Sequence, residues 1–580
     1  MDHHLVKVGA LLATVFLLYN LVRKISLQRS RAALKQATGA QSAKAYPQWE
    51  RIVGWNAFRD SLKAFREHRM LVRLEDRFKE TGSTTFSIRI LGRTTIMTLE
   101  PQNLKVIQAL DHKKWGLGQR RVTAFKPLLG NGEFFQFLPC RCLLHFIWQV
   151  ICCGNAERDC LGSLHRSVVG LYQISSHAYK RTMDALKILS LTLYSIGIFT
   201  NDGADWAHSR EMLRPNFVRS QIGDVATFER HVAHLISKLP PNGSTVNLAD
   251  FFFRLTMDSA TEFLFGESTD SLSKDSEDGF AGAFNRSQDN IAMRSRFGPW
   301  VKRLPFLFDL GSMDKDQKFV HDFVDYYVEK ACAKRDQQRT EKQSEKTSDR
   351  YIFIDEIVRQ TNDRTRIRDE CLNILLAGRD TTASLLTNVW WLLSKHQDLW
   401  AKLQTEVASL DGAHPTFEQL KDLKFLRAFL NETLRLYPVV PQNSREAQED
   451  TTLPVGGGPD GASPLFVPKG EVVGWSVYAM HRRTDYSGAD AEEFKPERWL
   501  DDPSSGTKGL RPSWEYLPFN GGARICLGQQ FALTEASYTT VRLCQAFSAI
   551  ESRDPGNVWR EKINLTCVNL DGAKVALTAC

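Results

Sequence analysis

The stretch FNGGARICLG, Phe519 to Gly528, sets one of eleven cysteines, Cys526, among three glycines and an arginine. Its fixed positions read Phe-x-x-Gly-x-Arg-x-Cys-x-Gly, and the residues that follow, QQFALTEASYTTVRLCQAF, have helical periodicity. Glycines on both sides let the backbone turn tightly and approach a flat ligand. Cys526 stands just ahead of a helix, where backbone N–H groups, the positive helix end and Arg524 all favour a thiolate. Most intracellular cysteines are small buried hydrophobes, whereas this one has a setting suited to negative charge.

Five further motifs lie upstream. AGRDTT, Ala377 to Thr382, falls in a helical stretch from about Ile367 to Lys395; by itself a Gly, Asp and Thr in an apolar helix equally marks a kink. ETLRLYP puts Glu432 and Arg435 three apart on one helix face, the spacing of an ion pair that at a surface contributes little. Arg445 follows in PQNSREA and Arg498 in FKPERW, while DWAHSREMLRP carries Trp206 and Arg210 at i, i+4.

In this order the motifs resemble the cytochrome P-450 superfamily. The resemblance implies haem b, with Cys526 as the axial thiolate ligand of its iron and Phe519, Gly522, Arg524 and Gly528 shaping the loop. It implies that Ala377 and Gly378 leave room for dioxygen, and that Asp380 and Thr381 are the acid and alcohol of a proton relay. Glu432, Arg435 and Arg498 match a structural core that holds the haem loop. Trp206, Arg210, Arg445 and Arg524 match partners of the haem propionates, a task for which the fork of arginine donors suits a carboxylate.

The implied fold is mainly α with a smaller β-rich part, a single domain over residues 47–580. LLAGRDTTASLL, ETLRLYPVVPQNSREA and FNGGARICLGQQFALTEASY are most similar to the fungal n-alkane and fatty-acid hydroxylases. The expected reaction is therefore insertion of one oxygen atom from O2 into a C–H bond of a long apolar chain, at its terminal carbon. Val439–Ser444 and Ile563–Gly572 occupy the positions expected to line the channel. Electrons would come from NADPH through a separate flavoprotein reductase, because no flavin or dinucleotide-binding sequence is identified in the chain. Two alternatives are a haem-thiolate enzyme acting on peroxides, against which the Asp380–Thr381 pair speaks, and a haem protein without turnover.

The formal charge of +8 belongs mostly to the N-terminus. Lys7, Arg23, Lys24, Arg29, Arg31 and Lys35 against Asp2 give residues 1–35 a local +5, leaving about +3 elsewhere, so nucleic acid is not an expected partner. Leu5 to Val22 is largely apolar and about 27 Å long as a helix, enough to cross a bilayer. The basic residues after it place the bulk of the chain on the cytosolic side, and no small-x-small site marks a cleaved signal peptide. The expectation is a single-pass anchor at 5–22 in the endoplasmic reticulum membrane, a basic linker at 23–46, and reduced cysteines.

Elsewhere, FSIRILGRTTIMTL (Phe86 to Leu99) reads as a hairpin. Signals from Trp206 to Lys395 are mostly helical, interrupted by the polar run Ala333–Arg350, read as a solvated loop. GPWVKRLPFLFDLG, Gly298 to Gly311, reads either as core or as a second dip into the membrane surface. Past Pro438 short apolar pieces and Gly/Pro-rich turns indicate β structure.

One region departs from the pattern. FKPLLGNG and IFTNDGADW would read continuously if joined, but Glu133–Gly197 lies between them and holds Cys140, Cys142, Cys152, Cys153 and Cys160. It has no sustained helical or strand period and reads as a translated intron. The cysteine spacing does not suit zinc, and CLLHFIWQVICC is too short for a second span.

Overall fold

In the computed structural model, residues 2–130, 197–217, 225–274, 279–297, 310–340 and 351–580 are described, with α1 side chains described at Thr14 and from Phe16 onward. Glu133–Gly197, apart from Gly197, and nearly all of Gly298–Gly311 lie outside the described residues. The principal helices are α1 (Asp2–Thr38), α2 (Trp55–Arg66), α3 (Met70–Thr81), α4 (Gln119–Leu129), α5 (Gly203–Leu213), α6 (Leu248–Phe265), α7 (Gly279–Phe297), α8 (Leu310–Thr340), α9 (Arg364–Lys395), α10 (Lys424–Leu436) and α11 (Gln529–Ala546).

The long helix α9 starts three residues before its apolar period does. Asp363 caps it, accepting from the Arg366 N–H at 3.1 Å. Its apolar residues are buried on several sides, because α6, α8, α10 and α11 all pack against it. Trp390, fully buried, and Leu386 and Val389 anchor one core cluster; Leu372 and Leu375 anchor another.

The polar run expected to be a loop is helical over Ala333–Thr340, where it continues α8. Ala, Lys, Arg and Gln are good helix formers, so polarity alone did not end the helix. Lys334 and Arg335 also tie it to the next helix, the former by an ion pair to Asp355 at 2.5 Å, the latter donating to the Val358 carbonyl at 2.8 Å.

The expected hairpin is β2 (Thr85–Ile90) and β3 (Arg93–Thr98), joined by Leu91 and Gly92 with φ of 49° and 76°. That left-handed pair is the turn that fits the twist of two strands. With β1 (Lys44–Ala45), β4 (Trp115–Gly116), β6 (Gln442–Ala447) and β9 (Val472–Ser476) they form a six-stranded sheet in the order β1-β2-β3-β9-β6-β4. Between them in sequence, β5 (Asn242–Asn247) joins β10 (Phe547–Ser552) and β13 (Lys574–Ala579), while β7 (Thr451–Gly457) pairs with β8 (Ser463–Val467) and β11 (Glu561–Ile563) with β12 (Cys567–Asn569).

The basic end of α1 is docked on this β-rich part. Arg31 grips Asp450 with two bonds of 2.9 and 3.0 Å, and Lys35 lies 4.8 Å from the Phe466 ring centre. Among the described residues no helix is long and apolar enough to cross a membrane. The six described cysteines are all free thiols.

Candidate active site

The Cys526 loop is held by its own backbone and by one neighbouring turn. Cys526 N–H donates to the Phe519 carbonyl at 3.0 Å and Ile525 N–H to the Gly522 carbonyl at 3.2 Å. Gly522 has φ 61°, and a Cβ there would stand 2.0 Å from the Gln108 carbonyl oxygen, so only glycine fits. At Gly528 a Cβ would meet no protein atom nearer than Phe217, at 3.8 Å. The Gln108 Oε1 accepts from Gly521 N–H at 2.8 Å. Gln108 belongs to a single π-helical turn, Val106–Leu110, a rare element concentrated at functional sites.

Cys526 has accessible surface, yet the surrounding protein pushes its thiol pKa up, while the Gly528 N–H and Arg210 pull it down. The two observations agree if the sulfur opens onto an interior space rather than bulk water. Arg210 donates to the carbonyl of Ile525, the residue before the thiol, at 3.0 Å.

Around this loop the charge is one-sided. The Trp206 ring carries Arg524 at 4.3 Å and Arg210 at 5.9 Å from its centre. Arg524 donates to Asp202 at 2.6 Å and to the Asn201 carbonyl. The buried Arg445, on β6, shares the Asn443 Oδ1 with Arg121 of α4, at 3.2 and 3.1 Å. Arg121 Nε is buried without a partner. Burial lowers the pKa of Arg445, Arg121 and Arg524, the last to about 10, and repulsion among them adds to it for Arg445 and Arg524. Four guanidiniums stand against the Asp202 carboxylate, with one donor orphaned. That set fits a ligand bringing two further carboxylates, as haem does. The sequence reading missed Arg121, whose hydrogen-bond partner comes from β6.

On α9, a Cβ at Gly378 would meet nothing within 4 Å, so the helix faces open space there. Thr381 Oγ1 donates to the Ala377 carbonyl at 2.7 Å, a bond within the helix that leaves its lone pairs free. Asp380 is buried and paired with Arg379 at 2.9 Å. Burial raises its pKa, and Arg379 and Gln288 offset part of that. Arg379 reaches on to Asn285 of α7.

The structure thus holds a cysteine loop before a long helix, a cluster of arginines beside it and a turn of α9 that faces open space. The cytochrome P450 family model matches residues 162–565. The chain is 40% identical over 567 residues to the cytochrome P450 monooxygenase himC of Aspergillus japonicus, covering 96% of this chain and 88% of that one. It is 39% identical over 544 residues to cytochrome P450 52A12 of Debaryomyces hansenii, with 90% of each covered, and 46% identical over 521 residues to cytochrome P450 52A5 of Candida maltosa, with 86% and 84% covered. The chain belongs to the cytochrome P450 family.

The structural core of this P450 is explicit. Glu432 takes two bonds from Arg435 and one from Arg498, all at 2.8 Å, and a fourth from the Trp499 indole at 2.9 Å. Arg435 spends its other donors on the His481, Ala491 and Glu493 carbonyls. Glu432 and Arg435 are buried, so this is not the surface pair that their spacing alone would suggest; the remaining lone pairs and donors are satisfied, as a buried charge requires.

The two segments expected to line the channel meet: Cys567 N–H donates to the Val439 carbonyl at 2.8 Å. The tip of the β11–β12 hairpin reaches α7, Asn564 donating to Asp289 at 2.8 Å. Val439 is buried, and Gln442–Ser444 are half-buried on β6.

Proposed function

We propose that this P450 is a membrane-tethered monooxygenase that hydroxylates the terminal carbon of n-alkanes or fatty acids. The observation that supports it is an exposed cysteine, Cys526, beside a cluster of four arginines, with α9 facing open space at Gly378. When bound, haem supplies the activation of O2 and the oxidation of the C–H bond. Cys526 would hold its iron through the thiolate. Arg121, Arg445 and Arg524 would hold its carboxylates, with Trp206 and Arg210 beside them. Ala377 and Gly378 leave room for dioxygen.

For each turnover R–H, O2, two electrons and two protons give R–OH and water. The electrons come from NADPH through a reductase. Asp380, whose burial moves it toward the neutral acid, and Thr381 Oγ1 pass the protons. Val439–Ser444 and Ile563–Gly572 present the chain end.

The anchor is supported by α1. Phe16, Leu17 and Leu18 are 66, 67 and 55% exposed, and Leu21 and Val22 54 and 64%. At 100° per residue these side chains point all round the helix, which no single protein surface can cover and a bilayer can. The basic residues from Arg23 onward keep the body at the cytosolic face of the endoplasmic reticulum.

Product analysis of the reconstituted enzyme with dodecane and lauric acid tests the substrate class. Terminal alcohols support it, and turnover confined to unrelated substrates removes it. Thr381→Ala is expected to keep the haem-thiolate spectrum and to lower product formed per NADPH on the order of tenfold, below the full effect of a positioned acid because water replaces the hydroxyl in part. The lost electrons should appear as peroxide. Unchanged coupling takes Thr381 out of the relay.

A further inference from the structure

His481 lies outside every motif above, yet it joins the Glu432 core to the thiol loop. It is buried, its face covered by the Tyr516 ring at 4.9 Å between centres. Leu517 N–H points at its Nε2 at 2.9 Å, and its Nδ1 sits 3.2 Å from the Arg435 carbonyl. A backbone N–H can only donate and a carbonyl can only accept. Nε2 must therefore carry the lone pair and Nδ1 the proton, which is the neutral ring in one tautomer.

From Leu517 the bonds continue to the backbone of Cys526. Its carbonyl accepts from Asn520 N–H at 3.3 Å, which closes the turn leading to Phe519, and the Phe519 carbonyl accepts from Cys526 N–H. Asn520 holds φ 60°, a conformation that persists only where the surroundings impose it.

We propose that His481 is a positioning residue for the thiolate ligand: neutral, it holds Leu517 and through it the Cys526 loop, and protonated it releases both. This rests on the assignment of Cys526 as the haem ligand. A proton on Nε2 would face the Leu517 N–H, donor against donor, in a buried site. The charged groups against the ring are Arg435 and Arg482, both cations, with Glu432 engaged by Arg435; Tyr516 is bonded to the Asn431 carbonyl. Burial and then these cations hold the imidazole pKa down to about 3.

The direction in pH follows. A histidine neutral in the fold but free to protonate when released, with an ordinary pKa near 6.5, leaves the tie at full strength above about pH 6.5. As pH falls toward 3 the ratio of held to released loop drops up to about tenfold per unit.

The test is an acid titration of the haem-thiolate band of the reduced carbon monoxide complex in the full-length holoenzyme, with haem release followed in the same samples. His481→Gln keeps an acceptor for Leu517 but does not titrate. It should show the band at neutral pH and lose it at least one pH unit lower than the wild type. His481→Phe has no acceptor, and its thiolate fraction should fall several-fold at neutral pH. The proposal is overturned if the Gln and wild-type acid curves superimpose, if the Gln variant lacks the band at neutral pH, or if the Phe variant matches the wild type. A wild type with no thiolate band at any pH would instead sink the assignment of Cys526 itself.

Discussion

Cys526→Ala is expected to abolish the haem-thiolate absorption of the reduced carbon monoxide complex while leaving a folded protein. The loop does not depend on the sulfur for its shape. Its turn is fixed by the bonds of Cys526 N–H to Phe519, Gly521 N–H to Gln108 and Ile525 N–H to Gly522, all from the backbone. Cys526 is also an exposed residue, so truncation removes no packed core side chain. Cys567→Ala makes the control, because that thiol is buried on β12 and held above its ordinary pKa by burial, the setting of an inert cysteine. The band should vanish in the first variant and survive in the second. Its retention in Cys526→Ala would overturn the central assignment.

Much of this site is legible in the chain because the chemistry needs short, fixed spacings. The i, i+3 spacing of Glu432 and Arg435 is a local constraint, and the fold uses it locally. What could not be read depends on residues brought from far away. Nothing near Asp380 in sequence announces Asn285 and Gln288, which reach its ion pair from α7. Gln108 became a partner of the loop through a π-helical turn, for which no periodicity exists to be read. Arg121 was hidden for the same reason, since its neighbour Arg445 comes from β6. The tail of α8 is the opposite case: composition suggested a solvated loop, and contacts with the following helix kept it helical.

The same distinction decides how the atypical segment should behave. Asn373 of α9 touches both sides of it: Nδ2 donates to the Leu129 carbonyl at 3.3 Å, and Oδ1 accepts from Phe199 N–H at 3.2 Å. One amide group, a little over 2 Å across, thus spans the two ends. Gly197 lies against it so closely that a Cβ would stand 2.3 Å from Nδ2. Joining Gly132 to Ile198 by deleting Glu133–Gly197 puts a glycine back at that place, as a reading frame restored by removal of an intron would. Counted as plain chain, closing roughly 65 residues instead of two or three between fixed ends costs about 3 kcal/mol, or about a hundredfold in the folded-to-unfolded ratio. The deletion is therefore expected to raise the yield of protein with a haem-thiolate spectrum and its thermal midpoint. A lower yield would show the segment to be an integral part of the fold, and message from active cells that encodes these residues would sink the intron reading by itself. Asn373→Ala in the shortened chain supplies the last check. If the amide is what brings Leu129 and Phe199 together, the gain from deletion should shrink when it is removed, and an undiminished gain would mean that the ends meet without it.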